Sequence, residues 1–181
     1  MNIKCSVYIA TSIDSFIAGP NGDIDWLNRP EYVATEMQGL RYEDFISTVD
    51  ALVMGRNTYE KVLTFDTWPY GETPVVVLSS REITIPEEAR HTVRLEAGTP
   101  QAIVTKLAAE GKKHLYIDGG VTIQRFLAAR LIDEITITRI PILLGTGIPL
   151  FGVIGVEQKL RLLHAIPSDN GFVQERYAVL H

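Results

Sequence analysis

The chain has 181 residues, a formal net charge of −5, 46% hydrophobic and 22% charged residues. That is the balance of an ordinary globular protein, read as a single domain over 1–181 that needs no disulfide or metal staple. Its one cysteine, Cys5, excludes an internal disulfide and any Cys-x-x-Cys zinc or redox motif, and points to a reducing compartment, the cytoplasm. No apolar run approaches the roughly 18 residues of a membrane span, and the 17 Lys and Arg residues form no basic stripe, so neither a membrane nor a nucleic acid is expected as partner.

Cys5 to Ile13 is mostly β-branched or apolar and reads as a buried strand. Turn formers gather at Gly19-Pro20-Asn21-Gly22-Asp23, so Gly19 to Pro30 is expected as a surface loop, with Trp26 unusual in its middle. Apolar spacing through Val33, Met37 and Leu40, then Tyr42, Phe45, Ile46 and Val49, predicts a helix over Glu31–Val49 that breaks near Gly39. Ala51 to Met54 predicts a strand ending at Gly55, Asn57-Thr58 a cap for a brief helix to Leu63, and Pro74 to Leu78 a further strand.

Thr99-Pro100 supplies an N-cap with proline at the first helical position, for a helix that stops at Gly111. His114 to Ile117 is a strand, Gly119-Gly120 a turn, and Val121 to Ala129 a helix. Ile135 and Ile137 alternate with Thr136 and Thr138, and Leu160–Ile166 is joined to Phe172–Leu180 by the turn formers of Pro167 to Gly171. Strands alternating with helices, then a hairpin, predict an α/β fold. Its mainly parallel central sheet carries helices on both faces and an antiparallel C-terminal hairpin at the edge.

The four histidines are scattered without metal-ligand spacing, so no metal site is expected. No Gly-x-Ser-x-Gly elbow and no Gly-Lys-Ser/Thr phosphate loop occurs, and Gly145-Thr146-Gly147 meets Leu150 where the dinucleotide fingerprint requires glycine. Three strand-to-turn junctions remain: Gly55-Arg56-Asn57-Thr58, Ser79-Ser80-Arg81 and Gly119-Gly120-Val121-Thr122. In an open α/β sheet that edge gathers free amides and positive partial charge, and arginines and hydroxyls there suit phosphate oxygens. Singly, the glycine pair is as well explained by a tight turn, each arginine by a solvated charge and the serines by a strand end. Their repetition in strand–helix order sets an anion site on equal terms with those separate explanations.

The same residues carry a resemblance. Ser6 through Asp14, Ile17-Ala18, Asp25-Trp26, Val53 through Glu60, Val77 through Arg81, Gly119-Gly120 and Pro141 through Phe151 follow in the order of the dihydrofolate reductase-like superfamily. They resemble most its branch related to the C-terminal reductase domain of the bifunctional riboflavin-biosynthesis deaminase-reductase. The resemblance implies a dihydrofolate reductase-like fold with NADPH across the sheet edge. Gly55, Arg56, Asn57 and Thr58 and Gly119, Gly120, Val121 and Thr122 would hold the diphosphate, and Ser79, Ser80 and Arg81 with Arg56 would meet the 2′-phosphate. It also implies a cis peptide at Gly119-Gly120, a nicotinamide wall of Ala10, Ile17 and Ala18, and a mobile flap over Gly19 to Trp26.

Folate reductases carry an acid on the helix after the flap, whereas the alignment puts Gly39 near that position. The candidates for catalysis are then Asp25, Trp26 and Glu36; Glu36 is equally a solvated helix charge and Trp26 equally a core anchor or a pocket wall. A lone cysteine cannot build the zinc site of the deaminase half, which implies a stand-alone reductase. The expected activity is hydride transfer from NADPH to a carbonyl or imine carbon of a small pyrimidine- or pterin-like substrate, similar to 5-amino-6-ribosylaminouracil reduction. The alternatives are folate reduction or a non-catalytic NADP(H)-binding module. A homodimer paired through the apolar C-terminal strands is expected, since relatives of this kind are often dimers.

Overall fold

A run of β-branched and apolar residues forms β1 (Lys4–Ser12), the strand around which the chain is organised. The structure is a computed structural model that describes residues 3–33 and 36–181. After β1 come β2 (Phe16–Ala18), α1 (Pro30–Val33), α2 (Tyr42–Ile46), β3 (Ala51–Gly55), α3 (Arg56–Val62) and β4 (Val75–Leu78). They are followed by β5 (Val93–Glu96), α4 (Pro100–Ala109), β6 (His114–Asp118), α5 (Gly120–Ala128), β7 (Glu134–Ile140), β8 (Ile148–Pro149), β9 (Lys159–Pro167) and β10 (Val173–Leu180).

Eight strands form one sheet in the order β5-β4-β3-β6-β1-β7-β10-β9, parallel from β5 to β7 and antiparallel at β10 and β9. The parallel strands are apolar on both faces because both are covered. On one side Ile103 and Leu107 of α4 and Ile123, Phe126 and Leu127 of α5 pack on Val7, Leu115, Ile117, Ile135 and Ile137. On the other, Phe45 of α2 and Tyr59 of α3 pack on Leu52, Met54, Val75, Val77 and Tyr116. Among the described residues no helix is long and apolar enough to cross a membrane.

The predicted α/β architecture with its C-terminal hairpin is therefore present, with local differences. Of the helix expected over Glu31–Val49, positions 34 and 35 lie outside the described residues, and the described ones form α1 and α2 with non-helical chain at 36–41. Gly39 lies between them at φ +108°, and Gln174 of β10 binds the adjoining backbone, its Oε1 accepting from Leu40 N at 2.7 Å and its Nε2 donating to Leu40 O at 3.0 Å. A side chain reaching in from the sheet thus replaces the helical hydrogen bonds at that point. Thr99 caps α4 as expected, accepting from Ala102 N at 3.2 Å. Asn57 and Thr58 cap nothing: α3 starts earlier, at Arg56, with Gly55 in the cap position and no side-chain cap. The strands β2, β5 and β8 are additions to the predicted set.

Candidate active site

The C-terminal ends of β1, β3 and β6 open onto a cleft of about 950 Å³. It is where the sequence placed its anion-binding junctions, for a topological reason: β3 and β6 are neighbours, so the turns leaving them sit side by side. Ala10, Ile17, Ala18, Gly55, Arg56, Asn57, Thr58, Gly119, Gly120, Val121 and Thr122 all line it. Ser79, Ser80 and Arg81 lie just outside, past the lining residue Leu78 at the end of β4. Their turn is set by Ser79 Oγ, which accepts from Arg81 N at 3.0 Å and donates to Arg81 O at 2.8 Å. Arg81 is exposed.

Glycine is required where the two turns meet. Gly119 has φ +89° and ψ 137°, and a Cβ there would collide with the Thr58 hydroxyl; a Cβ on Gly55 would stand 2.9 Å from Thr122 Oγ1. The bond between Gly119 and Gly120 is trans, and among the described residues no peptide is cis. The cis peptide expected there is thus corrected: the positive φ of Gly119 turns the chain without it. Gly120 allows a third approach, since a Cβ would lie 3.1 Å from Pro149 O and 3.2 Å from Ile17 Cδ1. The result is a cradle of bare backbone ringed by Thr58, Thr122, Asn57 and Arg56. Arg56 Nε donates to Glu60 Oε1 at 2.6 Å, which fixes one side of its guanidinium.

The wall formed by Ile17 and Ala18 belongs to β2, which pairs with β8. Gly147, at φ +155°, lets the two strands close, because a Cβ there would strike Ala18 O. From the Gly19–Trp26 segment Pro20, Asn21, Gly22 and Ile24 reach the cleft, joined by Leu27 just after it.

The proposed catalytic residues of that region do not. Asp25 and Glu36 are exposed and outside the lining, and Trp26, 5% exposed, is buried with Tyr32 and Ile140. Trp26 is therefore a core anchor, and its indole N–H has no hydrogen-bond partner among the described residues.

The acid in the cleft is Asp118, the last residue of β6. Gly119 N donates to its Oδ1 at 2.8 Å, and no cation lies within ion-pair distance of it among the described residues. Protein surrounds the carboxyl except towards the cleft, and this desolvation raises its pKa from the ordinary 3.8 to about 6, against the lowering effect of the Gly119 bond. Burial, and then the charge of Asp118, also raise the phenols of Tyr42, to about 12, and of Tyr70, which lines the cleft. The sequence signal for Asp118 was available: an acid closing an apolar strand immediately before a glycine pair.

A second, smaller cavity of about 200 Å³ lies at the N-terminal ends of β1, β6 and β7, where Lys4 and Arg176 both pair with Glu134 and Asp44 pairs with Arg41.

The sequence profile of the RibD C-terminal domain matches residues 4–174. Among curated proteins, the chain is 38% identical over 165 residues to YwjB of Bacillus subtilis strain 168, a protein without an assigned activity, covering 90% of each. Among solved structures it is 39% identical to a protein of Shewanella sp. PV-4 provisionally assigned to riboflavin biosynthesis, with a TM-score of 0.88 over 99% of this chain and 100% of that one. Dihydrofolate reductase from Enterococcus faecalis, solved with NADP(H), superposes with a TM-score of 0.67 at 17% identity, over 98% and 97% of the two chains, a likeness of fold. A profile match over most of the length shows that the chain belongs to the RibD C-terminal domain family, and it has the dihydrofolate reductase-like fold.

Proposed function

We propose that the protein is an NADPH-dependent reductase acting on a carbonyl or imine carbon of a small pyrimidine- or pterin-like substrate. The observation that carries this reading is Asp118, a carboxyl raised to about 6 that faces the cleft beside the glycine cradle. A reduction needs a proton besides hydride, and a carboxyl raised towards neutrality keeps part of its proton at pH values where an ordinary carboxylate has lost it.

The residues fit the cofactor. The bare backbone at Gly55, Gly119 and Gly120 admits a diphosphate, Thr58 and Thr122 offer hydroxyls, and α5 directs its N-terminal amides at the same place. Arg81, exposed beyond Leu78, would meet a 2′-phosphate, which would favour NADPH over NADH. Ala10, Ile17 and Ala18 offer an apolar wall to the nicotinamide. Held there, NADPH would be the source of hydride for the substrate carbon. Asp118 delivers the proton to the oxygen or nitrogen of the same double bond and is reprotonated from solvent. The Enterococcus structure with NADP(H) supports the cofactor, and family membership supports the reaction class.

Titration tests the reading: NADPH should bind far more tightly than NADH, and Arg81→Ala should erase the difference. No binding of either at millimolar concentration refutes it. If NADPH binds but no pyrimidine, pterin or quinone in a panel oxidises it, a non-catalytic binding module replaces it.

We also propose a homodimer. β9 is a nine-residue edge strand with Leu160, Leu162 and Leu163 exposed. Association of this edge with its own copy about a two-fold axis would cover these leucines.

A further inference from the structure

Asp14 sits in the turn between β1 and β2, outside the cleft lining, yet three donors converge on its carboxylate. Ser12 Oγ donates to Oδ1 at 2.6 Å, Leu144 N to Oδ1 at 3.1 Å and Gly145 N to Oδ2 at 2.7 Å. The same Ser12 hydroxyl accepts from Phe16 N at 3.0 Å, at the first residue of β2. Two further bonds join the same segments, Ile13 N to Ile142 O and Leu150 N to Ser15 O, both at 2.9 Å.

These bonds hold down a small structure. With two and three residues, β8 and β2 are too short to persist by their own pairing. Ile17 nevertheless has to rest on Gly120, and Gly147 on Ala18, for the nicotinamide wall to exist. Among the described residues, the one charged group tying the turn before β2 to the loop before β8 is the Asp14 carboxylate. Its donors, Ser12 foremost, hold it below the usual carboxylate range, the sign of a group that works ionised.

We propose that Asp14 is a positioning residue for the nicotinamide half of the cofactor site, acting through β2 on Ile17 and Ala18. The inference rests on the reductase reading. It concerns half of the dinucleotide site, since the Gly55–Thr58 and Ser79–Arg81 turns belong to β3 and β4 and share no hydrogen bond with Asp14.

That division makes it testable by comparing whole NADPH with adenosine 2′,5′-bisphosphate, which lacks the nicotinamide. Asp14→Asn should weaken NADPH by about fivefold or more while leaving the fragment within about twofold. Ser12→Ala, which keeps the Leu144 and Gly145 bonds, should show the same selectivity to a smaller degree and decides the matter if Asp14→Asn does not fold. Unchanged NADPH affinity in the folded variants overturns the proposal, as does an equal loss for the fragment, which marks general destabilisation. Wild-type protein that binds neither ligand refutes the reductase reading itself, and this inference with it.

Discussion

Asp118→Asn separates the demands of stability from those of chemistry. The wild-type carboxyl is raised from the ordinary 3.8 to about 6, so between those values the folded protein holds a proton that the unfolded chain has released. Stability therefore falls as pH rises through this window and stays lower above it, because the folded state must then carry a desolvated charge. At 1.36 kcal/mol per pH unit the difference corresponds to a ceiling of about 3 kcal/mol. Water entering by the cleft lowers it, so a gain on the order of 1 to 3 kcal/mol is expected for asparagine at pH 8. Asparagine keeps the carbonyl that accepts from Gly119 N. In a chain of this size each kcal/mol moves Tm by about 2 to 4 °C. Thermal melts of both proteins from pH 4 to 8 should thus coincide at the acid end and diverge to a higher Tm for the variant by pH 8. In the same variant kcat should fall by about a hundredfold or more, and in wild type kcat should decline above about pH 6 as Asp118 ionises. Parallel Tm curves would refute the assigned burial; an active Asp118→Asn would refute the proton donor.

Three other outcomes are expected. Gly119→Ala places a Cβ against the Thr58 hydroxyl at a positive φ, and should cost roughly 1 to 3 kcal/mol in denaturant unfolding and abolish NADPH binding. Asp50 accepts from Lys113 N at 2.7 Å and His114 N at 3.0 Å, which lowers its pKa, the Lys113 bond first. Its stabilising contribution is present above the unfolded carboxylate pKa and is lost as pH falls through the lower folded value. Asp50→Ala should accordingly lose roughly 1 to 2 kcal/mol at pH 7 and converge with wild type in strong acid; a constant gap would refute this. Sedimentation at micromolar concentration should show a dimer that Leu162→Lys dissociates, and a wild-type monomer removes the β9 pairing.

What was legible in the sequence was whatever packs on both sides. Val53, Val76, Leu115 and Ile117 are buried between two helical layers, so their strands read as plain apolar runs. β5 was hidden because it is an edge strand whose alternate positions, Arg94 and Glu96, join Lys106 and Glu110 in a surface ion-pair cluster, leaving only Val93 and Leu95 as apolar signal. β2 and β8 have no periodicity to read, since Asp14 and the bare backbone of Gly147 hold them in place. The glycine turns of the cleft were visible because they recur at strand ends in strand–helix order, not because the glycine pair is distinctive alone.

The acid was missed for a different reason. The resemblance points to the helix after the flap, where Glu36 is exposed and Gln174 binds the backbone of Leu40 next to the non-helical Gly39. A backbone bound to the sheet in this way cannot present a carboxylate on a helix face. Asp118 lies instead on the central strand β6, between β3 and β1, where its position is fixed by the core on both sides. A proton donor on that rigid edge stays aligned with the glycine cradle whatever the flap does, so mutations in the flap should alter substrate binding more than the pH dependence of kcat.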